Sequence, residues 1–588
     1  MNVLGINEGH MCSAALIQNG KLAAAVSEER FTRNKNEMGY PKKSIDYCLE
    51  EGAINKDEID FIACATLDLP AYFEVTKRYP KFSIDDYVKE NNEYWKPKLI
   101  EKKDIDYFSI FPKVVNKYYD FSFLENTEKS KWNELFKKER LRNIVNEFNI
   151  SEEKVVFVDH HACHAHYAYF MSPFRKNVLI ITADAFGDGC NCSISIGNER
   201  SIELKFKSAN HNLARLYKYI TLLLGMKPNE HEYKVMGLAP YANEYIIKKP
   251  YQVFNSTLYV DGLDFKYQEK PTDHYFWFKE KLEGCRFDGI AGGLQKYVED
   301  IMKKWVTNAL EIFKKDTVVI SGGLGLNIKI NQEIAAIPEV QNIFVAGGGG
   351  DESLSIGSAL FLSNKLDLQN EFNSPLHDYH GPEIEPCNIE KILEEKNVKS
   401  KFHIKYNISN KEIAEYLKDD WIIGRCKGRS EFGPRSLGNR SILANPSNIE
   451  NYRKINQQIK FRDFCMPFTP SILLERVNDY VLNPKNISSP YMTIAFNATD
   501  LAKKELIAAI HPSDYTIRPQ FVDKKYNTDY HDLISKFEKD TGIGGLLNTS
   551  LNLHGEPVVG NAFDALHTLL NSELDALVIN NDFLYRRK

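Results

Sequence analysis

Val178-Leu-Ile-Ile-Thr-Ala-Asp-Ala-Phe-Gly-Asp-Gly189 is the stretch on which the architecture of this chain turns. Val178–Thr182 has the length and apolar content of a buried strand. The acids and glycines of Asp184–Gly189 then predict a tight loop. Ser193–Ile196 follows and leads through Gly197-Asn198 into Ile202–Phe206, the pattern of a hairpin. The same succession stands at the start of the chain. Val3–Ile6, Ala14–Ile17 and Leu22–Val26 read as short strands, and Asn19-Gly20 is a strong turn signal between the last two.

A strand, a glycine-containing loop and a hairpin, occurring twice, is how actin-like (ASKHA) ATPase domains of α/β class are built. In that fold two loops face each other across a cleft and grip phosphates. Coincidence between two common hairpins is the plainer alternative. A third loop, Ser321-Gly322-Gly323-Leu-Gly325-Leu-Asn327, follows the strand pattern of Thr317–Ile320. Glycines there let backbone N–H groups approach a ligand closely. Ile343–Val345 leads into Ala346, four glycines and Asp351, ahead of a small-residue helix over Ser355–Leu360. Asp351 reads either as a cleft carboxylate or as a helix N-cap. No P-loop, zincin or nucleophile-elbow motif occurs.

Asp159-His-His-Ala-Cys-His-Ala-His166 places four imidazoles within seven residues, directly after the strand pattern Lys154–Val158. His160 and His164 are four apart, so on a helix they project from one face. Such a pair is a standard way to hold a divalent metal. The competing reading is a polar helix start with surface histidines.

At 588 residues the chain is long enough for two to four domains. A net charge of −5 with no long basic run gives no reason to expect nucleic acid as a partner. No apolar run is long enough to cross a membrane, and the first residues read as a strand rather than a signal peptide. Ten scattered cysteines without a Cys-x-x-Cys pair fit a reducing cytoplasm.

The first domain is expected over 1–363, with insertions near 70–148, mostly helical, and 243–310, mixed strand and helix. These insertions suit an acceptor pocket or an oligomer contact, a homodimer included. Residues 364–403 read as a linker containing Asn373-Ser-Pro375, Gly381-Pro382 and a short helix over Ile389–Glu395. A second domain is expected over 404–588. It contains Lys427-Gly-Arg429-Ser-Glu431-Phe-Gly-Pro-Arg435-Ser-Leu-Gly438-Asn-Arg440 and then Lys460-Phe-Arg462. Cations spaced by glycines form a shaped loop, and arginine forks match phosphate and carboxylate oxygens. Glu431 is placed to orient one guanidinium. A solvated charged surface is the alternative, but it does not require the apolar residues threaded through this loop. Asn548 and Ser550, in a strand running into a polar turn, could hold a nucleotide or a small polar group.

These segments together resemble the NodU/CmcH family of O-carbamoyltransferases, whose members modify nodulation factors, cephalosporin-type antibiotics and aminoglycosides. The matching stretches are Ser27–Arg33, Asp159–Ala165, Lys234–Ala239, Gly322-Gly323, Glu431–Leu443, Met466–Phe468 and Leu547–Pro557. The resemblance implies an ASKHA domain followed by a YrdC-like domain that makes carbamoyl adenylates. It implies His160, His164 and Asp351 as ligands of iron(II) or another divalent metal. It implies Asp184, Gly187, Asp188, Gly322, Gly323 and Asn327 at the adenylate. It implies Arg435, Arg440, Lys460 and Arg462 at the phosphates, beside Arg429 of the same loop. The family's first loop usually reads Gly-His-Asp-Ala-Ser-Ala, whereas here it is Gly9-His10-Met11-Cys12-Ser13-Ala14. Four glycines before Asp351 replace the family's proline and alanine, which suggests a more mobile ligand loop. His166 is an extra imidazole, expected to be a neighbour of the site and not a ligand.

The implied reaction takes ATP with Mg²⁺ and carbamoyl phosphate to carbamoyl-AMP. The carbamoyl group then passes to a hydroxyl of a small molecule or sugar. His10 or His161 is the candidate base, and Asp184 is grouped with them as catalytic. Three rival readings compete. An actin-like metabolite kinase would leave 404–588 idle. A tRNA threonylcarbamoylation enzyme would need a basic RNA surface. A non-catalytic nucleotide-binding scaffold is favoured only by Met11.

Overall fold

A computed structural model of the protein describes residues 1–366, 377–387 and 389–587. The Asn373-Ser-Pro375 part of the expected linker lies outside the described residues. Two compact units divide the chain, Met1–Ser374 and Pro375–Lys588.

The first unit holds two five-stranded sheets of one design. β1 (Asn2–Asn7), β2 (Ser13–Gln18), β3 (Lys21–Ser27), β4 (Phe61–Ala65) and β5 (Val155–Val158) are ordered β3-β2-β1-β4-β5. β1 to β3 are an antiparallel meander, and β4 and β5 join β1 in parallel. β6 (Val178–Gly187), β7 (Cys190–Asn198) and β8 (Ser201–Ser208) repeat the meander. A separate hairpin, β9 (Leu258–Asp261) with β10 (Asp264–Tyr267), precedes β11 (Thr317–Ser321) and β12 (Asn342–Val345). β11 and β12 extend β6 in parallel, giving the order β12-β11-β6-β7-β8. This is the duplicated actin-like architecture. The parallel strands are buried on both faces, as helix-covered parallel sheets require. β8 closes its sheet as an edge strand with Glu203, Lys205 and Lys207 along it, charges that discourage further pairing.

The first parallel half ends in the loops after β1, β4 and β5, and the second in those after β6, β11 and β12. Carboxyl ends of parallel strands are where α/β folds build sites. Two helices cross between the halves, His160–Phe170 after β5 and Leu354–Lys365 after β12. Their close approach depends on Gly357, where a β-carbon would come within 2.0 Å of the Cys163 carbonyl oxygen. The loop expected over 184–189 is in part strand. β6 continues to Gly187 after a register shift, and only Asp188 and Gly189 turn, both at positive φ. The insertion over 70–148 contains helices and no strand, and 243–310 combines the β9–β10 hairpin with helices.

The second unit is built on an eight-stranded mixed sheet. β13 (Phe402–Lys405), β14 (Ile423–Cys426), β15 (Arg440–Ala444) and β16 (Thr469–Leu473) come first. A small three-stranded sheet of β17 (Val481–Leu482), β18 (Phe496–Ala498) and β19 (Thr516–Ile517) is inserted. β20 (Gln520–Val522), β21 (Gly545–Ser550), β22 (Ala576–Ile579) and β23 (Asp582–Arg586) complete the order β13-β23-β22-β14-β15-β21-β16-β20. Residues from 377 onward are built into this unit. Phe432 N–H donates to the Asp378 carbonyl (2.7 Å) and Tyr379 hydroxyl to the Leu437 carbonyl (2.8 Å). Ile389, Ile392 and Leu393 of the Ile389–Glu395 helix enter its core. No described helix is long and apolar enough to cross a membrane.

Candidate functional site

The metal-binding reading rests on how the His160–Phe170 helix starts. Asp159 caps it, accepting from Ala162 N–H (2.9 Å), and His160 N–H donates to Asp188 (2.6 Å). All four imidazoles of the run are buried, which excludes the surface reading. Thr66 Oγ1 lies 3.2 Å from His160 Nδ1, and Ser321 Oγ lies 3.2 Å from His164 Nδ1. Each hydroxyl fixes its ring so that Nε2 points into one small space. Asp351 Oδ1 stands 3.8 Å from His160 Nε2 and 3.6 Å from His164 Nε2. Asp184 Oδ2 is 3.3 Å from His160 Nε2. One donor atom from each of these four residues falls within 4.8 Å of every other. His164 Nε2 is buried and has no hydrogen-bond partner. A buried and unsatisfied imidazole nitrogen beside two carboxylates is a donor set that could hold a metal ion.

Asp351 does not serve as a helix cap. Its carboxylate caps neither the short Asp351–Ser353 turn nor the helix beyond it. The glycine run before it is held in place: Gly322 N–H donates to the Gly349 carbonyl (2.9 Å), and Gly348 N–H to Tyr167 hydroxyl (2.9 Å). Burial lowers the His160 pKa, but the Asp184 hydrogen bond and the fields of Asp351 and Asp184 outweigh it and raise it to about 9. Without a metal, the cluster holds a proton there.

The glycines frame this cluster. A β-carbon on Gly187 would sit 2.2 Å from His160 Cγ, so only glycine lets that loop pass the ring. Gly322 has φ +95°, and a side chain there would strike the Ala183 carbonyl. Gly323 N–H donates to Asp184 Oδ1 (2.8 Å), so Asp184 links the histidine cluster to the glycine loop. Asp188 accepts from Leu67, Asp68 and His160 amides and serves as an anchor between loops. Asn327 caps the following helix, accepting from Lys329 and Ile330 amides, and its amide donates to Tyr217 and Gln295. Its side chain is occupied within the protein, which does not suit direct adenylate contact.

The two candidate bases separate. His161 Nδ1 is 2.7 Å from Thr182 Oγ1 and Nε2 is 3.3 Å from the Cys190 carbonyl. Both ring nitrogens are engaged, leaving none to accept a substrate proton. Burial, with His160 and His164, holds its pKa well below the usual value. His10 keeps a buried Nδ1 without a partner, and its ring stacks on Tyr79 at 4.2 Å between centroids. Burial lowers the His10 pKa against the opposing fields of Asp351 and Asp184, keeping it neutral near pH 7. His166 faces away, bonded to the Ala162 carbonyl (2.8 Å) and packed on Phe361, as a neighbour of the site. At the unusual Met11, φ is +53°. A cavity of about 590 Å³ opens from His160, Asp351 and His10 toward the helices of the 70–99 segment.

In the second unit, sheet register explains why distant cations share one region. Ser441 pairs with Ser550, Thr469 with Asn548, and Ser471 with Gln520. The start of β15, the end of β21, and the starts of β16 and β20 thus lie at one end of the sheet. The Lys427–Asn439 loop, the Lys460–Arg462 segment and Arg518 all precede or adjoin those ends.

Arg440 is fully buried, and its guanidinium donates to the carbonyls of Lys427, Asn439 and Pro382 at 2.9–3.1 Å. Its two terminal nitrogens hold the loop, while its buried Nε–H has no hydrogen-bond partner. Lys460 is likewise spent on Ser550 and Asn552 oxygens. Arg429 donates to the His380 and Gly381 carbonyls. Glu431 instead binds backbone amides of its own loop. One of its oxygens accepts the Leu437, Asn439 and Arg440 amides, folding the loop around itself. Asn548 is buried and donates to Ser436 and Ser471, and Ser550 hydroxyl donates to Asn552.

Arg435 and Arg462 do converge, with a third cation the sequence reading missed, Arg518. Burial and the fields of Arg435 and Arg462 push the Arg518 pKa well below its ordinary value. Guanidinium groups near enough to feel one another's charge are the kind of group that phosphate oxygens pair with. An isolated Arg518 between Ile517 and Pro519 gave no local signal.

The fold is an actin-like α/β unit followed by a second α/β unit. The family models "Carbamoyltransferase N-terminus" and "Carbamoyltransferase C-terminus" match residues 2–360 and 414–587. The chain belongs to the carbamoyltransferase family and is an enzyme of the transferase class. It is 32% identical to the uncharacterized protein MJ1051 of Methanocaldococcus jannaschii over 100% of both chains. It is 28% identical to nodulation protein NolNO of Sinorhizobium fredii over 98% of this chain and 79% of that one. The 3'-hydroxymethylcephem-O-carbamoyltransferase of Streptomyces clavuligerus is 26% identical over 46% and 48%. Among solved structures, (R)-2-hydroxyglutaryl-CoA dehydratase component A of Acidaminococcus fermentans is similar at a TM-score of 0.31, with 14% identity over 61% and 97%.

Proposed function

We propose that the protein is an ATP-dependent O-carbamoyltransferase working in two steps. The reading is carried by the buried His160–His164–Asp351 cluster, which opens on a cavity in a chain matched at both ends by carbamoyltransferase models. In the second unit, a YrdC-like carbamoyl-adenylate domain over roughly 404–588 in this reading, Arg435, Arg462 and Arg518 neutralise the triphosphate of Mg²⁺-ATP. Water hydrolyses carbamoyl phosphate to carbamate and phosphate, and a carbamate oxygen then attacks the α-phosphorus of ATP and expels pyrophosphate, leaving carbamoyl-AMP. Arg440, Lys460 and Glu431 keep the loop in shape for that step.

In the first unit the glycine loops at 187 and 322–323 receive the adenylate. His10, neutral and with Nδ1 free, takes the proton of the acceptor hydroxyl. The hydroxyl oxygen bonds to the carbamoyl carbon and AMP leaves. His160, His164 and Asp351, with Asp184 within reach, would hold one metal. That donor set of imidazoles and carboxylates suits iron(II) and admits zinc or manganese, and the ion would act as a Lewis acid toward the carbamoyl oxygen. The test is release of pyrophosphate from ATP. One equivalent per carbamoyl phosphate consumed supports this reading. Release without carbamoyl phosphate, or phosphorylation of an acceptor, supports the kinase reading instead.

A further inference from the structure

One wall of the cavity beside the histidine cluster carries two cations that stand outside its ion pairs. Arg215 and Lys218 lie three apart on the Leu213–Leu223 helix and both line it. Arg215 stacks its guanidinium on Phe186 at 4.5 Å, and Lys218 Nζ lies 5.9 Å from the Tyr79 ring centre. Among the described residues neither makes an ion pair with a carboxylate. Of the seven acids lining the cavity, Asp68 is exposed to solvent, Asp351 belongs to the histidine cluster, and the other five are engaged elsewhere. Glu8 accepts from Arg140 and Tyr119, Glu74 pairs with Lys77, and Glu90 accepts from Arg78 and Tyr107. Asp188 takes three backbone amides, and Asp273 caps a helix through Phe276 N–H. Burial and the neighbouring Arg78 pull the Lys218 pKa down to about 7, and the fields of Glu90 and Glu232 do not restore it.

The position of this pair matters as much as its charge. Tyr79 stacks on His10, and His10 lies beside the metal cluster. Lys218 therefore stands one stacked ring pair from the reacting end. Gly187 and Asp188 line the cavity at its cluster end while Gly322, Gly323 and Asn327 do not, so it adjoins the expected adenylate contacts at one edge and extends away from the rest. Its walls between the two ends are aromatic, with Tyr72, Phe73, Trp95 and Tyr219 among them, surfaces on which sugar rings stack.

We propose that the acceptor is a hydroxyl-bearing anion, its carboxylate or phosphate seated on Lys218 and Arg215 while its hydroxyl faces His10 and the metal cluster. The proposal rests on the carbamoyl-transfer reading for the identity of the pocket. The test titrates the full-length, metal-loaded protein by calorimetry with methyl glucoside, glucuronate and glucose 6-phosphate. At least one of the two anions should bind ~10-fold or more tightly than the neutral sugar, the scale of one charge-assisted hydrogen bond. Which anion binds tighter separates carboxylate from phosphate. Lys218→Met should abolish the advantage and Lys218→Arg should retain most of it. Equal binding of all three sugars, binding by none, or an advantage that survives in Lys218→Met and Arg215→Gln overturns the proposal. Carbamoyl-phosphate-dependent pyrophosphate release is read on the same variants. Its absence in the parent protein would defeat the transferase reading while leaving the binding result to stand by itself.

Discussion

Replacing His164 by alanine separates the metal from the fold. In the metal-free protein two effects oppose each other. The variant loses packing around the ring and the Ser321 contact, a hydrogen bond worth about 0.5–1.5 kcal/mol. It also removes a buried Nε2 without a partner, whose desolvation costs about 1–3 kcal/mol. Metal-free His164→Ala should therefore melt within a few degrees of the metal-free parent. With metal at about 100 times its Kd the parent gains about 2.7 kcal/mol. For a unit the size of Met1–Ser374, with about 2.1 cal/mol/K of unfolding entropy per residue, that is a rise of roughly 3–4 °C. The variant should show almost none of it. The assay is differential scanning calorimetry with and without iron(II) under anaerobic conditions, repeated with manganese, together with metal analysis of the dialysed protein. An equal metal-dependent rise in parent and variant would refute the ligand assignment. His161→Ala, whose ring faces Thr182 and Cys190, should bind metal like the parent.

Three further outcomes follow from the same geometry. His160 titrates at about 9 without metal, so metal entry at pH 7 should expel close to one proton, read by calorimetry in buffers of different ionisation enthalpy. The sign follows from the raised pKa: the protonated imidazole stabilises the metal-free form fully below about 6.5, and this is lost as pH climbs through about 9, so metal affinity should rise over that window. Gly187→Ala should drive a methyl into the His160 ring and lower metal affinity by at least ~10-fold, the loss expected when a ligand's orienting surroundings are disturbed; parent-like affinity in equilibrium dialysis would show that the loop moves freely. Arg440→Ala should lower stability by about 3 kcal/mol or more in urea unfolding, since it strands three carbonyls, whereas Arg518→Ala should leave the unfolding midpoint near the parent's and raise the KM for ATP.

The duplicated half of the fold was legible because strand, loop and hairpin are local patterns, and both copies carry their glycines where the chain turns. The His160–His164 pair was legible because helical spacing fixes which side chains share a face. Asp351 needed the tertiary fold to bring it there from a distant loop. What sequence could not tell was which cations are spent internally. Arg440 and Arg435 stand five apart in one motif, yet one points into backbone carbonyls and the other joins a charge cluster. Arg518 enters that cluster only because β20 lies beside β16 in the sheet. His161 looked as available as His10 until its two nitrogens were seen to be bonded.

The central claim is that adenylation and transfer belong to different units. It is tested most directly by pyrophosphate release from ATP and carbamoyl phosphate in His164→Ala, set beside Arg518→Ala and the parent, with no acceptor present. The account predicts release by His164→Ala at the parent rate and release by Arg518→Ala slowed at least ~10-fold, the cost of one lost charge-assisted contact. Equal loss of release in both variants would contradict it.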